Sequence, residues 1–215
     1  VSSGAEVADW FDDDGPLLVE ELVEFRRELS QMLARRPSGE IALWPLVESI
    51  QRGGVCVEVI APAPGASSRL REVAAEVATT IAAELGVTGA LAVELFETTD
   101  ERILVNELAM RPHNSGHWSI DGSATSQFEQ HLRAVLDLPL GPTGAREPWS
   151  VMINVLGGTS ENRYPAALAD QPGVKYHFYG KEPRPGRKVG HVTAGGDDLE
   201  EVVFRARAAA AFFED

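Results

Sequence analysis

The sequence is poor in cysteine and contains no long apolar run. Its one cysteine, Cys56, stands in the apolar stretch VCVEVI without a disulfide partner, so we expect a reducing, cytoplasmic setting. No apolar run approaches the ~20 residues of a membrane helix. The first residues, VSSGAEVADW, have neither the basic nor the apolar segment of a secretion signal, and we therefore expect no membrane partner.

Positive charge is also scarce. The chain has 19 Lys and Arg residues against 33 Asp and Glu residues, a net charge of −14, which argues against nucleic-acid or anionic-lipid partners. Every lysine lies in the last third of the chain, at Lys175, Lys181 and Lys188. No glycine-rich phosphate loop and no initiator Met are present. We therefore expect a fragment in which any nucleotide site is incomplete.

What is present is the composition of a globular protein, with 44% hydrophobic residues over 215 positions. Apolar runs bounded by turn residues predict strands at Leu17–Val23, Ile41–Glu48, Val55–Ala61, Ala90–Glu97, Arg102–Leu108, Ser150–Gly158, Val174–Gly180 and Lys188–Ala194. Helical spacing and caps predict helices at Ser67–Gly86, Ser126–Leu136 and about Asp197–Phe213. The predicted fold class is α+β. The Gly- and Pro-rich segment Leu138–Pro148 predicts a boundary between domains at residues 1–140 and 141–215.

Two glutamates stand on the strands of a predicted β-hairpin whose turn is TTDE. Glu94 and Glu107 are each flanked by apolar residues, and a buried carboxylate needs compensation. With TTDE as the loop, Glu94 faces Val105, and Glu107 lies diagonally across on the same face, about 7–8 Å away. Two such carboxylates can share Mg²⁺. The neighbouring Asn106 would point the other way on an ideal strand.

Two alternatives to the magnesium pair stay open at this point. A one-residue slip of the hairpin would put the two carboxylates on opposite faces of the sheet. Both could also be solvent-facing residues of a half-exposed sheet.

A polar loop follows the second strand of the hairpin. The Arg111 guanidinium can form bidentate hydrogen bonds to a carboxylate, phosphate or bicarbonate. His113 and Asn114 can donate hydrogen bonds to oxygen. A zinc site of His113 and His117 is an alternative, although the proline and glycine nearby disfavour the helix that such spacing needs. An ordered loop held by its own side chains is the other alternative.

A cationic segment, Tyr179–His191, stands out in so acidic a chain. Its positive residues are Lys181, Arg184, Arg187 and Lys188, with His191 at its end. Cations among glycines and prolines favour a turn that holds a phosphate. A solvated basic turn is the alternative.

Several strings resemble one enzyme family. LAVELF, ILVNELAMRPHNSGHWSIDG, SVMINVLGG and GKEPRPGRKVGH closely resemble the N5-carboxyaminoimidazole ribonucleotide synthetases, ATP-grasp enzymes of purine biosynthesis. The resemblance covers almost the whole chain and corresponds to the C-terminal half to two-thirds of such an enzyme. It implies the large ATP-grasp subdomain, an antiparallel sheet with helices, followed by a small C-terminal α+β lobe.

The resemblance also implies an activity and its partners. ATP and bicarbonate would give carboxyphosphate, which carboxylates 5-aminoimidazole ribonucleotide, with Mg²⁺ as the metal cofactor and a homodimer as the assembly. A related alternative is the formate-dependent glycinamide ribonucleotide transformylase, which the strings HNSGH and PGRKVGH disfavour. For the fragment alone, which we expect to be inactive, a non-catalytic ligand-binding or dimerisation module is a further alternative.

The site residues that the resemblance implies fall into four groups. The magnesium ligands would be Glu94 and Glu107. Bicarbonate or carboxyphosphate would be held by Arg111, His113 and Asn114. The ribonucleotide phosphate would be held by Lys181 and Arg187, with Lys188 beside them. The nucleotide would contact Glu20, Glu21, Leu22, Val23, Glu28, Asn106 and Glu107, with Gln51 where many relatives carry a histidine.

Overall fold

The computed structural model describes residues 3–12, 15–157 and 163–213. One antiparallel sheet of nine strands contains β1 (Phe25–Arg35), β2 (Ile41–Leu43), β3 (Val47–Arg52), β4 (Val55–Ala61), β5 (Gly89–Thr98), β6 (Ile103–Ala109), β7 (Trp149–Leu156), β8 (Lys175–Phe178) and β9 (Lys188–Gly196). Their order in the sheet is β6-β5-β1-β3-β4-β7-β9-β8, with the short β2 paired to β1.

Helices cover both faces of the sheet. The α-helices are α1 (Ser68–Glu84), α2 (Ser119–Gly122), α3 (Gln127–Val135), α4 (Tyr164–Asp170) and α5 (Leu199–Ala211), and short 3₁₀ helices lie at Gly4–Asp12 and Asn114–Gly116. The three predicted helices correspond to α1, α3 and α5 and are confirmed.

Helix α1 shows why these segments fold as they do. The Ser67 hydroxyl accepts a hydrogen bond from the Leu70 amide at 3.1 Å, which caps the first turn. Gly86, at φ +60, follows the last turn in the left-handed conformation that favours glycine. Buried apolar residues recur every four positions between these ends, at Leu70, Ala74, Ala78 and Ala82. They form one stripe along the helix, which packs against the sheet.

The two faces of the sheet pack against different elements. Leu29 and Leu33 of β1 pack in the core cluster that includes the α1 stripe, and α5 packs on β7 and β9. The strand pairings place α1 and α5 on the same face. Residues of opposite parity, such as Ser30 and Met32, face α3 and the loop that follows β6. The candidate site is built on this second face.

The sheet continues through the C-terminal part of the chain. Strand β7 pairs with β4, with Glu58 opposite Ile153, so strands on both sides of Leu138–Pro148 belong to one sheet. The predicted α+β class, with an antiparallel sheet and helices, is confirmed. The division at residues 140 and 141 stays a prediction. Within the described ranges, we find no helix with the length and apolar character needed to cross a bilayer.

One predicted strand was wrong, and another is two strands in the structure. Residues 16–24 form no strand or helix, and Leu18 and Leu22 there are 84% and 91% exposed. The first strand of the sheet is β1 instead. The sequence pattern did not indicate it, because the charged run that includes Arg27 lies near its start. Arg27 is half-buried with its charge paired to Glu97 and, at 3.0 Å, to Glu48. The strand predicted at residues 41–48 is split before Val47, because Pro45 cannot donate to a ladder.

Candidate active site

The hairpin of β5 and β6 differs from the predicted register in two ways. The loop lies one residue later, so Leu95 faces Val105, whereas we predicted that Glu94 would. A β-bulge then follows, and Glu94 pairs directly with Glu107. Asn106 is the extra residue of the bulge.

The bulge determines which side chains of β5 and β6 lie next to each other. The one-residue slip alone would place Glu94 opposite Asn106 and send Glu107 to the other face. The extra residue restores the alternation, so the two carboxylates sit side by side, closer than the predicted diagonal. Because a bulge re-aims the side chains around it, Asn106 lines the same cleft as both glutamates. The expectation that Asn106 points away was made for an ideal strand, and the bulge removes that condition.

The carboxylates line an open cleft of about 500 Å³. Its wall also contains other residues that the resemblance assigned to the nucleotide, namely Glu28, Gln51 and Asn106, together with Phe25, Gly53, Gly54 and Phe96. Phe25 and Phe96 stack with ring centroids 4.4 Å apart. The cleft thus combines a stacked aromatic pair with hard oxygen donors.

Negative charge accumulates in this cleft. Burial raises the pKa of Glu94, and the carboxylates of Glu107 and Glu28 raise it further, against the opposing effect of Lys188 and Arg111. Burial also raises the pKa of Glu28, which Gln51 opposes through a hydrogen bond. A divalent cation would relieve this repulsion, and carboxylate and amide oxygens are ligands that Mg²⁺ accepts. The donor set therefore fits magnesium.

The metal would need ligands beyond this pair. Throughout residues 3–12, 15–157 and 163–213, no group of three or more His, Cys, Asp and Glu side chains is arranged to hold a metal. Magnesium commonly completes its shell with water and substrate phosphate oxygens, which a carboxylate pair leaves room for. The zinc alternative gains no support, because the Gln127 amide nitrogen donates to His117 Nδ1 at 2.9 Å, which leaves the proton of a neutral ring on Nε2 and neither nitrogen free to bind a metal.

His113 connects the polar loop to the carboxylates. Its Nε2 lies 3.4 Å from Glu94 Oε1. The backbone amide of Ser115 donates to His113 Nδ1 at 3.4 Å, so the proton of a neutral ring must be on Nε2, facing Glu94. Burial, together with Arg111 and Lys188, lowers the pKa of His113 to about 4. Near neutral pH this histidine is an uncharged donor.

Its neighbours supply further donors. Asn114 Nδ2 is buried and meets no oxygen or nitrogen acceptor among the described residues. Its side chain approaches the Cys56 thiol, and a buried donor with no stronger acceptor than sulfur suits an anionic ligand. Arg111 is exposed, and its guanidinium donates to the Pro112 carbonyl at 3.2 Å. It is close enough to lower the pKa of both His113 and Glu94. The cationic guanidinium of Arg111 and the neutral donors of the loop thus lie near the two carboxylates.

The cationic segment reaches this site through one residue. Lys188 is half-buried at the start of β9, and its charge lowers the pKa of Glu94 and of His113. Lys181 and Arg187 are exposed on the preceding turn. Lys181 Nζ lies 5.2 Å from the Tyr179 ring centroid, and the Arg187 guanidinium donates to the Glu182 carbonyl at 3.3 Å.

A column of three imidazoles escaped the sequence analysis. The His191 ring stacks between His117 and His177, with centroids 4.9 and 4.7 Å apart. Its Nδ1 lies 2.6 Å from the Tyr179 hydroxyl, and His177 pairs with Asp121 at 2.7 Å. His177 and His191 face each other across β8 and β9, which correct strand pairing would have indicated. His117 comes from the distant loop, so only the tertiary structure assembles the column.

Residues 20–23, which the resemblance also assigned to the nucleotide, lie elsewhere. Glu21, Leu22 and Val23 line a separate cleft of about 710 Å³ beside the hairpin turn, and Glu20 is exposed on the segment before them. The structure does not bring these four residues into the carboxylate cleft. Phe25, which follows these residues in the chain, lines the carboxylate cleft.

Comparison with known proteins places this geometry in a family. Residues 3–128 match the ATP-grasp domain and residues 150–205 match the C-terminal domain of phosphoribosylaminoimidazole carboxylase. The chain is 55% identical over 204 residues to the N5-carboxyaminoimidazole ribonucleotide synthase of Mycobacterium tuberculosis strain H37Rv, covering 92% of this chain and 48% of the relative. The chain thus spans about half the length of the curated relatives it matches.

Solved structures agree. The synthetase from Thermus thermophilus superposes with a TM-score of 0.82 at 43% identity, over 90% of this chain and 52% of that one. The N5-carboxyaminoimidazole synthase of Aspergillus clavatus, in complex with ADP and 5-aminoimidazole ribonucleotide, gives a TM-score of 0.86 at 32% identity, over 96% of this chain and 57% of that one. With the domain match spanning more than half of its residues, the chain belongs to the ATP-grasp family.

Proposed function

We propose that the protein to which this chain belongs uses ATP and bicarbonate to carboxylate the amine of 5-aminoimidazole ribonucleotide. The products would be N5-carboxyaminoimidazole ribonucleotide, ADP and phosphate. The observation that carries this proposal is the direct pairing of Glu94 with Glu107, beside the His113 donor at 3.4 Å. The likeness to synthases of that reaction supports it.

The proposed roles follow from charge and position. Mg²⁺ on Glu94 and Glu107 would neutralise the phosphates of ATP during transfer. Glu28, Gln51 and Asn106, which share the cleft, would contact the nucleotide. Glu21 to Val23, which line the separate cleft at the hairpin turn, and the exposed Glu20 before them would contribute to the adenine contact.

The loop after β6 would hold the small anion. Arg111 offers charge, and His113 and Asn114 offer neutral donors, so bicarbonate and then carboxyphosphate could be bound through their oxygens. Carboxyphosphate hydrolyses readily, which makes burial of these donors useful because it keeps water away. Lys181, Arg187 and Lys188 would hold the ribonucleotide phosphate, and the position of Lys188 near His113 would bring that substrate toward the anion.

The decisive assay supplies the whole protein with ATP, ¹³C-bicarbonate and 5-aminoimidazole ribonucleotide. We expect ¹³C in a carbamate product, with ADP and phosphate formed in equal amounts only when all substrates are present. Incorporation of formate in place of bicarbonate would point to the transformylase alternative. Binding of substrates without ADP release would point to a non-catalytic module. Either outcome would reject the proposal.

The metal role is tested by Glu107→Gln. This change keeps the shape of the side chain but removes a charged ligand, so the Mg²⁺ concentration for half-maximal rate should rise about 10–100-fold. Glu76→Gln, on an exposed position of α1 on the opposite face, is the matched control and should leave that concentration unchanged. An unaltered Mg²⁺ dependence in Glu107→Gln would remove this residue from the metal site.

Assembly and location complete the proposal. A homodimer could form through the exposed apolar stripe of α3, which contains Phe128, Leu132 and Val135 and continues at Leu136. Sedimentation velocity should then give twice the protomer mass, and Leu132→Glu should lower it; a protomer mass for the unmodified protein would contradict the dimer. A cytoplasmic location is supported by the free, buried Cys56.

A further inference from the structure

Gln127 makes an unusual set of contacts for a residue outside the assigned site. It is the first residue of α3 and is fully buried. Its Oε1 accepts from the His113 amide at 2.7 Å, and its Nε2 donates to the His113 carbonyl at 2.8 Å. The same Nε2 lies 2.9 Å from His117 Nδ1. The Gln127 side chain therefore hydrogen-bonds to the backbone amide and carbonyl of His113 and to one ring nitrogen of His117.

These contacts leave the Gln127 amide one orientation. A backbone N–H can only donate and a backbone carbonyl can only accept, so the oxygen must face His113 N and the nitrogen must face His113 O. The remaining hydrogen on Nε2 then points at His117 Nδ1, which must be an acceptor. The neutral His117 ring consequently carries its proton on Nε2. Gln127 thus determines the tautomer of His117 as well as the path of the loop.

The loop needs such an anchor because its chemistry depends on small distances. His113 Nε2 is already 3.4 Å from Glu94 Oε1, at the limit of a hydrogen bond. The loop is also held by the Ser115 hydroxyl, 2.9 Å from His113 Nδ1 and 2.7 Å from the Ser30 hydroxyl of β1. Gln127 fixes the backbone of His113 and the two serines fix its ring.

We propose that Gln127 is a positioning residue for the anion-binding loop, holding His113 at the carboxylates through both of its backbone groups and holding His117 in its Nε2–H tautomer. The inference rests on the proposed function, in which His113 contacts bicarbonate. Loss of the two donated hydrogen bonds would let His113 move, and a misplacement of about 1 Å in a reacting group can cost about 100-fold in rate.

Helix α3 itself provides a matched control. Gln130 is equally buried and grips the backbone of Gly141 in the same way, accepting from its amide at 2.8 Å and donating to its carbonyl at 2.7 Å. Gln127→Glu and Gln130→Glu each replace the donor nitrogen by an oxygen while the acceptor stays. Both changes should cost stability, but only the first touches the loop.

The experiment compares these two variants in the whole protein. Gln127→Glu should lower kcat/KM for bicarbonate about 100-fold and leave the KM for ATP unchanged, whereas Gln130→Glu should change neither. Long-range ¹H–¹⁵N spectra of the imidazoles should show the His117 Nδ1 resonance leaving its unprotonated position in Gln127→Glu alone. His177, His191 and Lys188 surround this ring or act on it, so spectra are recorded at one pH.

The possible results distinguish a failure of the inference about Gln127 from a failure of the proposed function on which it rests. Wild-type kinetics and an unchanged His117 resonance in Gln127→Glu would overturn the inference, as would an equal loss in Gln130→Glu. An unmodified protein that carboxylates nothing would reject the proposed function instead, while the His117 resonance would still report on the tautomer. If Gln127→Glu fails to fold, Gln127→Asn keeps the amide but is one methylene shorter, so it cannot reach both backbone groups of His113; an unchanged kcat/KM for bicarbonate in that variant would overturn the inference.

Discussion

Replacing His191 with phenylalanine tests how the buried imidazole column couples folding to pH. His191 is 1% exposed and stacks between two other histidines. Burial, reinforced by His117 and His177, lowers its pKa to about 3. Burial likewise lowers the pKa of His117 to about 4, with His113, Lys188 and His177 adding to the effect.

The sign of the effect follows from the depressed pKa values. A histidine of the unfolded chain titrates near 6.5, so below that pH the unfolded state binds protons that the folded state does not. The contribution of each ring to stability is complete above pH 6.5 and is lost as the pH falls toward its folded pKa. Between pH 7 and pH 5, the loss is about 2 kcal/mol for each such ring.

Urea unfolding at several pH values measures this loss, with the fluorescence of the buried Trp44 and Trp118 as the signal. His191→Phe keeps an aromatic ring in the stack but cannot bind a proton. At pH 7.5 it should cost about 1–3 kcal/mol, because the Tyr179 hydroxyl loses its partner. Between pH 7 and pH 5, its free energy of unfolding should fall by about 2 kcal/mol less than that of the unmodified protein.

Tyr179→Phe is the control, because it breaks the same hydrogen bond and keeps the titrating ring. Its free energy of unfolding should be lower than that of the unmodified protein at every pH. It should change with pH by the same amount as in the unmodified protein. The reasoning would be refuted if His191→Phe kept the full pH dependence, or if Tyr179→Phe flattened it equally.

Two further changes probe the packing around the sheet. Arg207→Ala should lower the free energy of unfolding by about 1–2 kcal/mol, because it leaves the buried Glu58 without its cation at 2.8 Å, while the 55% exposure of the Arg207 side chain weakens the pair through solvent screening; an unchanged free energy of unfolding would contradict this. Gly116→Ala should cost about 1–3 kcal/mol and raise the KM for bicarbonate, because a Cβ there would overlap the Met32 thioether. Gly144→Ala, where a Cβ meets nothing within 4 Å, is the matched control for both readouts and should alter neither.

The helices and most strands could be predicted from local signals. The Ser67 cap, the four-residue apolar spacing and the Gly86 stop lie within or directly beside α1, so no distant residue is needed to recognise the helix. Strand β1 lacked such a signal, because its first residues are charged. Burial of Arg27 among them becomes favourable only when Glu97 and Glu48 come from other strands to pair with it.

The sequence by itself determined which chemical groups are available: two carboxylates on a hairpin, a polar loop after it, and a cationic segment near the other end. Only the tertiary structure decided how they meet. The bulge at Asn106 makes Glu94 and Glu107 direct neighbours, and no local pattern marks it, because a bulge depends on how two strands pair. The Gln127 contacts join α3 to the loop after β6, and the imidazole column joins that loop to β8 and β9, which come much later in the chain. Such contacts form only when the sheet and α3 pack together.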